Sequence, residues 1–386
     1  MPEFDILCHG DLWDPVHGRR NDRWLAIQGG RIISESEEHP GEARDTVTAT
    51  LFTPGLIDMH VHLVWDGTDD PVATLTDETE SETTIRAIEN ARKQLEGGVT
   101  TVRDLGSTDD IAIAVGRAIR TGRVPGPRTI ASGRTIIISD GHDPFWGIES
   151  DGIDACRRAV RKLRGAGADV IKVSATGGVY GQAIGEDPGA AELSRAELTA
   201  IVEEANRFDL PVATHAVGTD GIRNAVVAGV DTIEHGNLMD DETLAQLEDE
   251  DIAYDPTLFV YQEIASGSAP EYARTNALRV VDQHTEVVKK ASRENVRLLA
   301  GSDAGSPNTP HPSLHRELQS LVENGLSEEA ALTAATHTAA EELGRSSLGT
   351  LDPETPADVI GFDDDPFVDI EGTSSPSIIV KDGALY

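Results

Sequence analysis

Short apolar runs alternate with longer stretches of mixed polarity along most of the chain. From residue 56 onward, eight apolar runs occur in the order LIDMHVHL, TTVRDLG, RTIASGRTI, DVIKVSA, PVATHA, DTIEHG, IAYDPTL and RLLAGSDAG. Short runs of this kind, bounded by turn residues, are typical of buried strands. The pattern therefore predicts eight strands in series.

The stretches between these runs have the periodicity of amphipathic helices. In SETTIRAIENARKQLEGG, Ile85, Ile88 and Leu95 fall on one side, and the terminal glycine suits a left-handed cap. GAGADVIKV and VAGVDTIEHG each combine a helix end, a glycine turn and a strand. Strand–helix units repeated in this way predict an α/β fold, a (β/α)8 TIM barrel over residues 56–345.

The two ends of the chain have a different pattern. FDILCHGDLWD, WLAIQGGRIISES and TVTATLFTPG are short alternating segments with glycine turns and no helical period. ADVIGFDDDP and SIIVKDGALY, near the C-terminus, look the same. The simplest arrangement is a small composite β-sandwich made of residues 1–55 and 346–386, beside the barrel of residues 56–345.

The charge balance narrows the classes of partner. The 386 residues include 68 acidic and 32 basic side chains, a net charge of −36. Such a surface repels phosphates, which argues against nucleic acids and anionic membranes as partners and leaves a small-molecule substrate. Only six basic residues are lysines, and the acids are spread along the chain, which favours a halophilic protein; an ordinary acidic cytosolic enzyme is the alternative.

The sequence also indicates a location. MPEFDILCHGDLWD lacks the basic and apolar regions of a secretion signal, and no apolar stretch approaches the roughly 20 residues that span a bilayer. Cys8 and Cys156 form no CxxC pair, which favours a reducing compartment. We therefore expect a cytoplasmic protein. Homo-oligomers stay open, since no interface is marked in the sequence.

Metal-binding residue types gather at the ends of the predicted strands. In GLIDMHVHLVWDG, the alternation of a strand places Asp58, His60 and His62 on one face. Candidates on strands four, five, six and eight are Lys172, His215, His235 and Asp303. A single histidine in a strand is more often a hydrogen-bonded core residue, but this set lies next to the loops where barrel enzymes keep their sites. Imidazoles and carboxylates suit a divalent metal such as zinc, and this set exceeds what one tetrahedral ion needs.

Lys172 stands in ADVIKVSA among apolar neighbours. Desolvation of its ammonium group should lower its pKa and leave a nucleophilic amine. Such an amine can react with carbon dioxide to give a carbamate, an anionic ligand able to bridge two metal ions. The alternative is a lysine paired with an acidic neighbour, Asp104 or Asp169.

With these residues the chain resembles the amidohydrolase superfamily, in its binuclear branch with a carboxylated lysine. GLIDMHVHL, GGVTTVRDLG, GADVIKVSATGGV, AGVDTIEHG and GSDAG are most similar to Xaa-Pro dipeptidase (prolidase) and imidazolonepropionase-like members, and the resemblance covers nearly the whole chain. It implies two divalent metal ions, expected to be zinc. By the same resemblance His60, His62 and Asp303 hold the more buried ion, His215 and His235 hold the other, and carboxylated Lys172 bridges them.

The resemblance further implies hydrolysis of an amide C–N bond in an Xaa-Pro-like dipeptide or an N-acyl amino acid. A hydroxide bridging the metals would attack the carbonyl, with Asp303 as general base and then acid. One alternative is an imidazolonepropionase-like cyclic amidohydrolase or deaminase, although its mononuclear site needs no carbamate. Hydrolysis of lactones or carbamate esters stays open. A non-catalytic barrel scaffold is the last alternative, but such proteins usually lose their ligands.

Substrate contacts are predicted on the loops at the barrel mouth. His142 in SDGHDPFWG could hydrogen-bond the carbonyl oxygen, and Tyr180 and Tyr261 could contact substrate. The alternatives are that His142 is a surface loop residue and that each tyrosine packs under its own loop. A substrate carboxylate would need a cation, for which the candidates are Arg274, His311 and His315. In HAVG, Val217 stands where many relatives have a second histidine. Asp58 could orient one of the ligand rings.

Overall fold

The computed structural model describes residues 3–181 and 186–386. The strands in these ranges are β1 (Phe4–Asp14), β2 (Gly18–Gln28), β3 (Arg31–Ser36), β4 (Ala43–Pro54), β5 (Leu56–Val61), β6 (Val99–Asp104), β7 (Arg128–Ala131), β8 (Thr135–Ile137), β9 (Gly147–Glu149), β10 (Ile171–Ser174), β11 (Val212–Ala216), β12 (Thr232–His235), β13 (Ala253–Asp255), β14 (Val359–Phe362), β15 (Ile378–Lys381) and β16 (Ala384–Leu385).

Helices follow most of the central strands. They are α1 (Pro71–Asp77), α2 (Glu80–Glu96), α3 (Ile111–Arg120), α4 (Ile153–Ala166), α5 (Arg195–Asn206), α6 (Thr219–Ala228), α7 (Asp241–Asp249), α8 (Leu258–Ser266), α9 (Glu271–Leu278), α10 (Val281–Ala291), α11 (Leu314–Glu323), α12 (Glu328–Ala334) and α13 (His337–Glu342). Short 3-10 turns span Ser346–Leu348 and Ile370–Ser374. No helix in the described ranges is long and apolar enough to cross a membrane.

The central strands confirm the predicted barrel architecture. Strands β5, β6 and β7 form one parallel sheet, and β8 and β10 to β13 run side by side in a second one that β9 extends. The third predicted strand is interrupted after Ala131, so that β7 pairs with β6 while β8 pairs with β10. Strand three therefore joins the two sheets through a bend in its own backbone.

The eighth predicted strand, residues 297–305, lies between β13 and β5 without a regular ladder. It is attached by isolated bridges, Leu298 to Tyr254 on one side and Ala304 to Val61 on the other. The Asp303 N–H also donates to the carbonyl oxygen of His60 at 2.8 Å. The segment thus occupies the place of strand eight and brings Asp303 against β5.

Both ends of the chain contribute to a single seven-stranded sheet, in the order β16-β15-β14-β4-β1-β2-β3. Strand β1 is antiparallel to β2 and parallel to β4, and β14 is antiparallel to β4. Alternate apolar residues pack into one core, among them Ile6, Cys8, Leu25, Phe52 and Val359. The expected β-unit from both termini is confirmed as a shared sheet, while its division from the barrel at residues 55 and 346 stays a prediction.

Helix α2 faces the barrel with polar residues, which the apolar periodicity did not indicate. Leu95 is buried as expected, but Ile85 is 58% exposed. The inward face instead carries Arg86, which donates to the Val64 carbonyl, and Asn90, which donates to the carbonyls of Leu63 and Trp65. These bonds fix the loop that follows β5, because its backbone has no strand partner there.

Candidate metal centre

All six predicted ligand residues line one cavity, of about 40 Å³, at the C-terminal end of the barrel strands. They are His60 on β5, Lys172 on β10, His215 on β11, His235 on β12, Asp303 on the strand-eight segment, and His62 directly after β5. The volume suffices for about three water molecules. Residues far apart in the chain therefore surround a cavity that is large enough for one or two metal ions.

His60, His62 and Asp303 form the tightest group. Their ligand atoms lie within 4.8 Å of one another. The Nε2 atom of His62 is 3.2 Å from Asp303 Oδ1, and the Nε2 atom of His60 is 3.9 Å from the same oxygen. Two imidazole nitrogens facing one carboxylate oxygen are a suitable donor set for a divalent ion.

The far nitrogen of each of these two rings is held by an oxygen. His60 Nδ1 lies 2.9 Å from Glu234 Oε2, and His62 Nδ1 lies 3.1 Å from the carbonyl oxygen of Gly106. A nitrogen that donates to an oxygen carries the proton, so Nε2 keeps its lone pair. Both rings thus present Nε2 toward Asp303.

His215 and His235 use opposite ring nitrogens. His215 Nε2 donates to the Gly177 carbonyl at 3.1 Å, which leaves Nδ1 as the free donor atom. His235 Nδ1 lies 2.7 Å from the Thr257 hydroxyl, which leaves Nε2. Their ring centroids are 4.7 Å apart. These two rings form a second pair of nitrogen donors beside the first group.

Burial keeps most of these rings neutral, as metal ligation requires. It lowers the pKa values of His215 and His235 far below their usual range, and that of His60 to about 4. Burial also works against a charge on His62, but the Asp303 carboxylate outweighs it and raises the pKa of that ring. A field that favours a proton on His62 also favours a metal cation at the same place.

Lys172 is buried and its Nζ atom has no hydrogen-bond partner within the described ranges. Burial lowers the pKa of this amine, and the carboxylates of Glu234 and Asp303 oppose the shift only in part. The alternative pairing is not observed, because the Asp104 carboxylate accepts the Leu63 N–H and that of Asp169 accepts the Ala131 N–H. A buried amine without a partner costs free energy, so this donor set fits a centre with added ligands.

Glu234 is a site residue that the sequence analysis missed. It accepts from His60 Nδ1 and from the guanidinium of Arg103, at 2.9 Å in both cases. Burial works against its charge, yet Arg103 and His60 hold its pKa well below the usual range. The strand alternation of β12, which points Thr232 and Glu234 into the barrel, is the signal that could have found it.

Asp58 has a different role from the expected one. It was predicted to orient a ligand ring, but its carboxylate accepts the N–H of Ser302 at 2.9 Å and the Ser302 hydroxyl at 2.6 Å. It therefore adds a side-chain link between the strand-eight segment and β5, beside the backbone bond from Asp303 to His60. The ring of His60 is oriented by Glu234 instead.

Three strand ends at the site are held in left-handed backbone conformations. The φ angles are 70° for His235, 45° for Thr257 and 53° for Asp303. Such angles are uncommon for residues other than glycine and persist only where surrounding contacts enforce them. The strain aims these side chains inward at the points where the strands would otherwise leave the barrel.

His142 lies against the centre, as predicted. Its ring stacks on that of His215 at a centroid distance of 4.1 Å. Burial disfavours its charge, but the carboxylates of Asp143 and Glu186 outweigh that effect and raise its pKa to about 9. His142 is therefore an imidazolium at neutral pH, with Nε2 3.2 Å from Asp143.

Aromatic and aliphatic side chains make up much of the remaining cavity wall, together with Asp143 and Ser306. Both predicted tyrosines line it, with the ring of Tyr261 at 5.4 Å from that of His235. The Tyr180 hydroxyl is already engaged, since it donates to Asp70 at 2.6 Å and accepts the Val72 N–H at 2.8 Å. Other lining residues include Trp65, Val179, Val260 and Ile264.

The three candidate cations for a substrate carboxylate do not reach the cavity. His311 is buried elsewhere, with Nδ1 bonded to Gln94 and Nε2 to the His62 carbonyl. Burial lowers its pKa to about 3, so it carries no charge at neutral pH. Arg274, His315 and Val217 are likewise absent from the cavity wall. The described cavity wall therefore does not contain these candidate cations: Arg274 lies on α9 and His315 on α11, while His311, in the loop before α11, is held by Gln94 and His62.

Comparison with known proteins gives the same family along nearly the whole chain. The amidohydrolase family model matches residues 51–384. An ochratoxinase of Aspergillus niger is 30% identical over 408 residues, which cover 95% of this chain and 82% of the relative. A Xaa-Pro dipeptidase solved with methionine in its active site has a TM-score of 0.92 at 29% identity, over 99% of each chain.

A second solved relative is similar to the same extent. It is a prolidase complexed with N-methylphosphonate-L-proline, with a TM-score of 0.91 and 26% identity over 99% of each chain. The chain belongs to the amidohydrolase family and is a metal-dependent hydrolase of carbon–nitrogen bonds.

Proposed function

We propose that this chain is a binuclear zinc amidohydrolase that cleaves an Xaa-Pro-like dipeptide or an N-acyl amino acid, with Lys172 carboxylated. The observation that carries the proposal is the buried, unpartnered Nζ of Lys172 amid four imidazoles and the Asp303 carboxylate. A carbamate there would replace an uncompensated polar group with an anion suited to two cations.

In this proposal His60, His62 and Asp303 hold one metal ion, His215 and His235 hold the other, and carboxylated Lys172 bridges them. Imidazole-rich sets with carboxylate oxygens suit zinc. The pair of ions would supply a hydroxide nucleophile at neutral pH and polarise the carbonyl group of the substrate.

The protein's own residues supply the proton transfers. Burial works against ionisation of Asp303, but His60 and His62 outweigh it and lower its pKa, so the group is a carboxylate that can accept a proton. Asp303 then passes that proton to the leaving nitrogen. We assign to His142, stacked on His215, a hydrogen bond to the carbonyl oxygen as negative charge develops there, for which its Nε2–H would leave Asp143.

The lining of the cavity supports a substrate with an apolar side chain or acyl group. Trp65, Val179, Val260 and Ile264 form much of the wall, and among the described lining residues the basic side chain types are Lys172 and histidines. We therefore assign recognition of a substrate carboxylate to neutral donors such as the Tyr261 hydroxyl, since no arginine lines the described wall.

The test is hydrolysis by protein purified in high salt with bicarbonate and zinc and without chelator. We expect turnover of Xaa-Pro dipeptides or N-acyl amino acids, with a preference for apolar residues, and loss of turnover in Asp303→Asn. Tyr261→Phe should raise KM more than it lowers kcat for substrates with a free carboxylate. Turnover of imidazolones or lactones, without cleavage of any dipeptide or N-acyl amino acid, would contradict the proposal.

A further inference from the structure

Thr257, between β13 and α8, combines backbone strain with a contact to the metal centre. Its φ and ψ are both 45°, in a region that β-branched residues rarely adopt. Its hydroxyl lies 2.7 Å from Nδ1 of His235, and the residue is fully buried. The strained backbone therefore places the oxygen that fixes the orientation of the His235 ring.

The same geometry removes the usual cap from helix α8. Thr257 is the N-cap residue of α8, a position where threonine normally accepts a backbone N–H, but it makes no such bond. Some other helices have a local side-chain cap, as Thr79 caps α2 and Ser194 caps α5. At α8 the hydroxyl is committed to His235, and the first N–H groups need another acceptor.

Glu317 on α11 supplies that acceptor from a distant part of the chain. Its carboxylate oxygens accept the N–H groups of Leu258 at 3.0 Å and Phe259 at 2.8 Å. The side chain is fully buried. Burial raises the pKa of Glu317 to about 8, and the two N–H donors work against that shift because they favour the carboxylate. The charge of this group therefore changes with pH near neutrality, so all variants are compared at one fixed pH.

We propose that Glu317 is a positioning residue of the metal centre. By holding the first turn of α8 it maintains the strained backbone of Thr257, whose hydroxyl orients His235; the same helix carries Tyr261 to the cavity wall. The inference rests on the proposed function, in which His235 is a metal ligand. Glu317 touches neither metal nor substrate and acts through Thr257.

The test compares the rate of metal loss to a chelator in Glu317→Gln, Thr257→Val and the double variant. Outer partners of metal ligands typically contribute about 10- to 100-fold in affinity, so each single variant should lose metal about 10- to 100-fold faster. Because both act through one contact, the double variant should lose it no faster than the worse single variant. Thr257→Ser, which keeps the hydroxyl, should retain metal better than Thr257→Val.

Glu197→Gln is the matched control. Glu197 also caps a helix, accepting the Ser194 N–H at 2.9 Å and the Gly152 N–H at 2.8 Å, but α5 has no residue in the cavity wall. This variant should lower the melting temperature of the metal-free protein and leave the rate of metal loss unchanged. The control therefore separates the loss of a helix cap, which lowers stability, from faster metal loss.

Three results overturn the inference. The first is a folded Glu317→Gln variant that loses metal no faster than the parent, and the second is a Thr257→Val variant that does the same. The third is a double variant whose rate of metal loss shows the two single effects added in full. If Glu317→Gln does not fold, Thr257→Val against Thr257→Ser decides. A parent chain that never binds metal contradicts the proposed function instead, and that outcome is visible before any variant is made.

Discussion

At the scale of single residues, each histidine of the centre has one ring nitrogen fixed by an oxygen outside it. The fixing groups are the Glu234 carboxylate, the carbonyls of Gly106 and Gly177 and the Thr257 hydroxyl. These contacts decide which nitrogen is free and hold the rings in place before any metal binds. Lys172 differs, because its Nζ has no such partner in the described chain.

Lys172→Ala tests the role of this amine. The variant lacks the group that we expect to carry the carbamate, so metal content should fall by about one ion per chain. Hydrolysis should fall by more than about 100-fold, since loss of outer partners alone has effects of up to that size. Elemental analysis and turnover measure both, and added propionate should restore part of the activity by supplying a carboxylate.

Lys162→Ala, an exposed change on α4, is the control for that experiment. It should keep the parental metal content and rate. If Lys172→Ala also kept both, Lys172 would be a core residue without a part in the metal centre.

Glu234→Gln tests the contact that the sequence analysis missed. The amide cannot pair fully with Arg103 and His60, so we expect a loss of about 3–5 kcal/mol in the free energy of unfolding, typical of a broken buried ion pair. Metal affinity should fall about 10- to 100-fold. Asp14→Asn, which breaks the partly buried pair with Arg20 in the terminal sheet, should lower stability without changing metal affinity. Equal losses of metal affinity in the two variants would contradict the role of Glu234.

The residue types of the centre were predictable, whereas their partners were not. Alternation along β5 predicted His60 and His62, and a place at a strand end predicted His215, His235 and Asp303, because both are local properties of the sequence. The oxygen that holds each ring comes from another loop or strand, and no local pattern reveals it. For the same reason Asp58 was assigned to a ring rather than to Ser302.

At the scale of elements, a buried carboxylate contributes to the junction between the terminal sheet and strand three. Asp358 accepts from Arg128 on β7 at 2.7 Å and from Lys381 on β15 at 3.1 Å. Burial works against its ionisation, but Lys381 and Arg128 outweigh it and lower its pKa. The ionised group therefore links the C-terminal part of the sheet to the barrel.

This depressed pKa predicts an acid dependence of stability. An unfolded aspartate has a pKa of about 3.9, so the stabilisation is present above that pH and is lost as the pH falls toward the folded value. Asp358→Asn should cost about 3–5 kcal/mol at neutral pH, and the gap from the parent should narrow in acid. Urea unfolding at several pH values measures it, and a gap that is constant with pH would contradict the assignment.

The order and type of the elements followed from the sequence better than their details. Helix ends at Gly167 and Gly229 are left-handed, as the glycine turns predicted. The inward face of α2 was assigned wrongly, because Asn90 and Arg86 bind backbone carbonyls that no apolar pattern marks. Strand eight lacks a regular ladder, and Asp58 accepts the N–H of Ser302 there, although these two residues are 244 positions apart in the chain.

At the scale of the whole molecule, the net charge of −36 is the dominant property. Repulsion among these charges opposes compaction in dilute salt and is screened in concentrated salt, where the Debye length falls to about 3 Å at 1 M. We propose on this ground that the protein is adapted to high salt. Acidic residues occur both in the barrel and in the terminal sheet. We therefore expect salt to change the stability of the whole molecule.

A KCl series tests this adaptation. The melting temperature and the rate of hydrolysis should both rise between about 0.15 M and 2 M KCl. The reason is that repulsion between neighbouring carboxylates is screened only when the Debye length is short, at high ionic strength. A maximum of both at low salt would identify an ordinary acidic enzyme instead.

The metal content of the folded parent chain tests the central claim most directly. The protein would be purified in high salt with bicarbonate and without chelator, and its metals measured by elemental analysis. We predict close to two divalent ions per chain, as a bridged pair requires. A value near one that Lys172→Ala leaves unchanged would contradict the binuclear centre and exclude Lys172 from it.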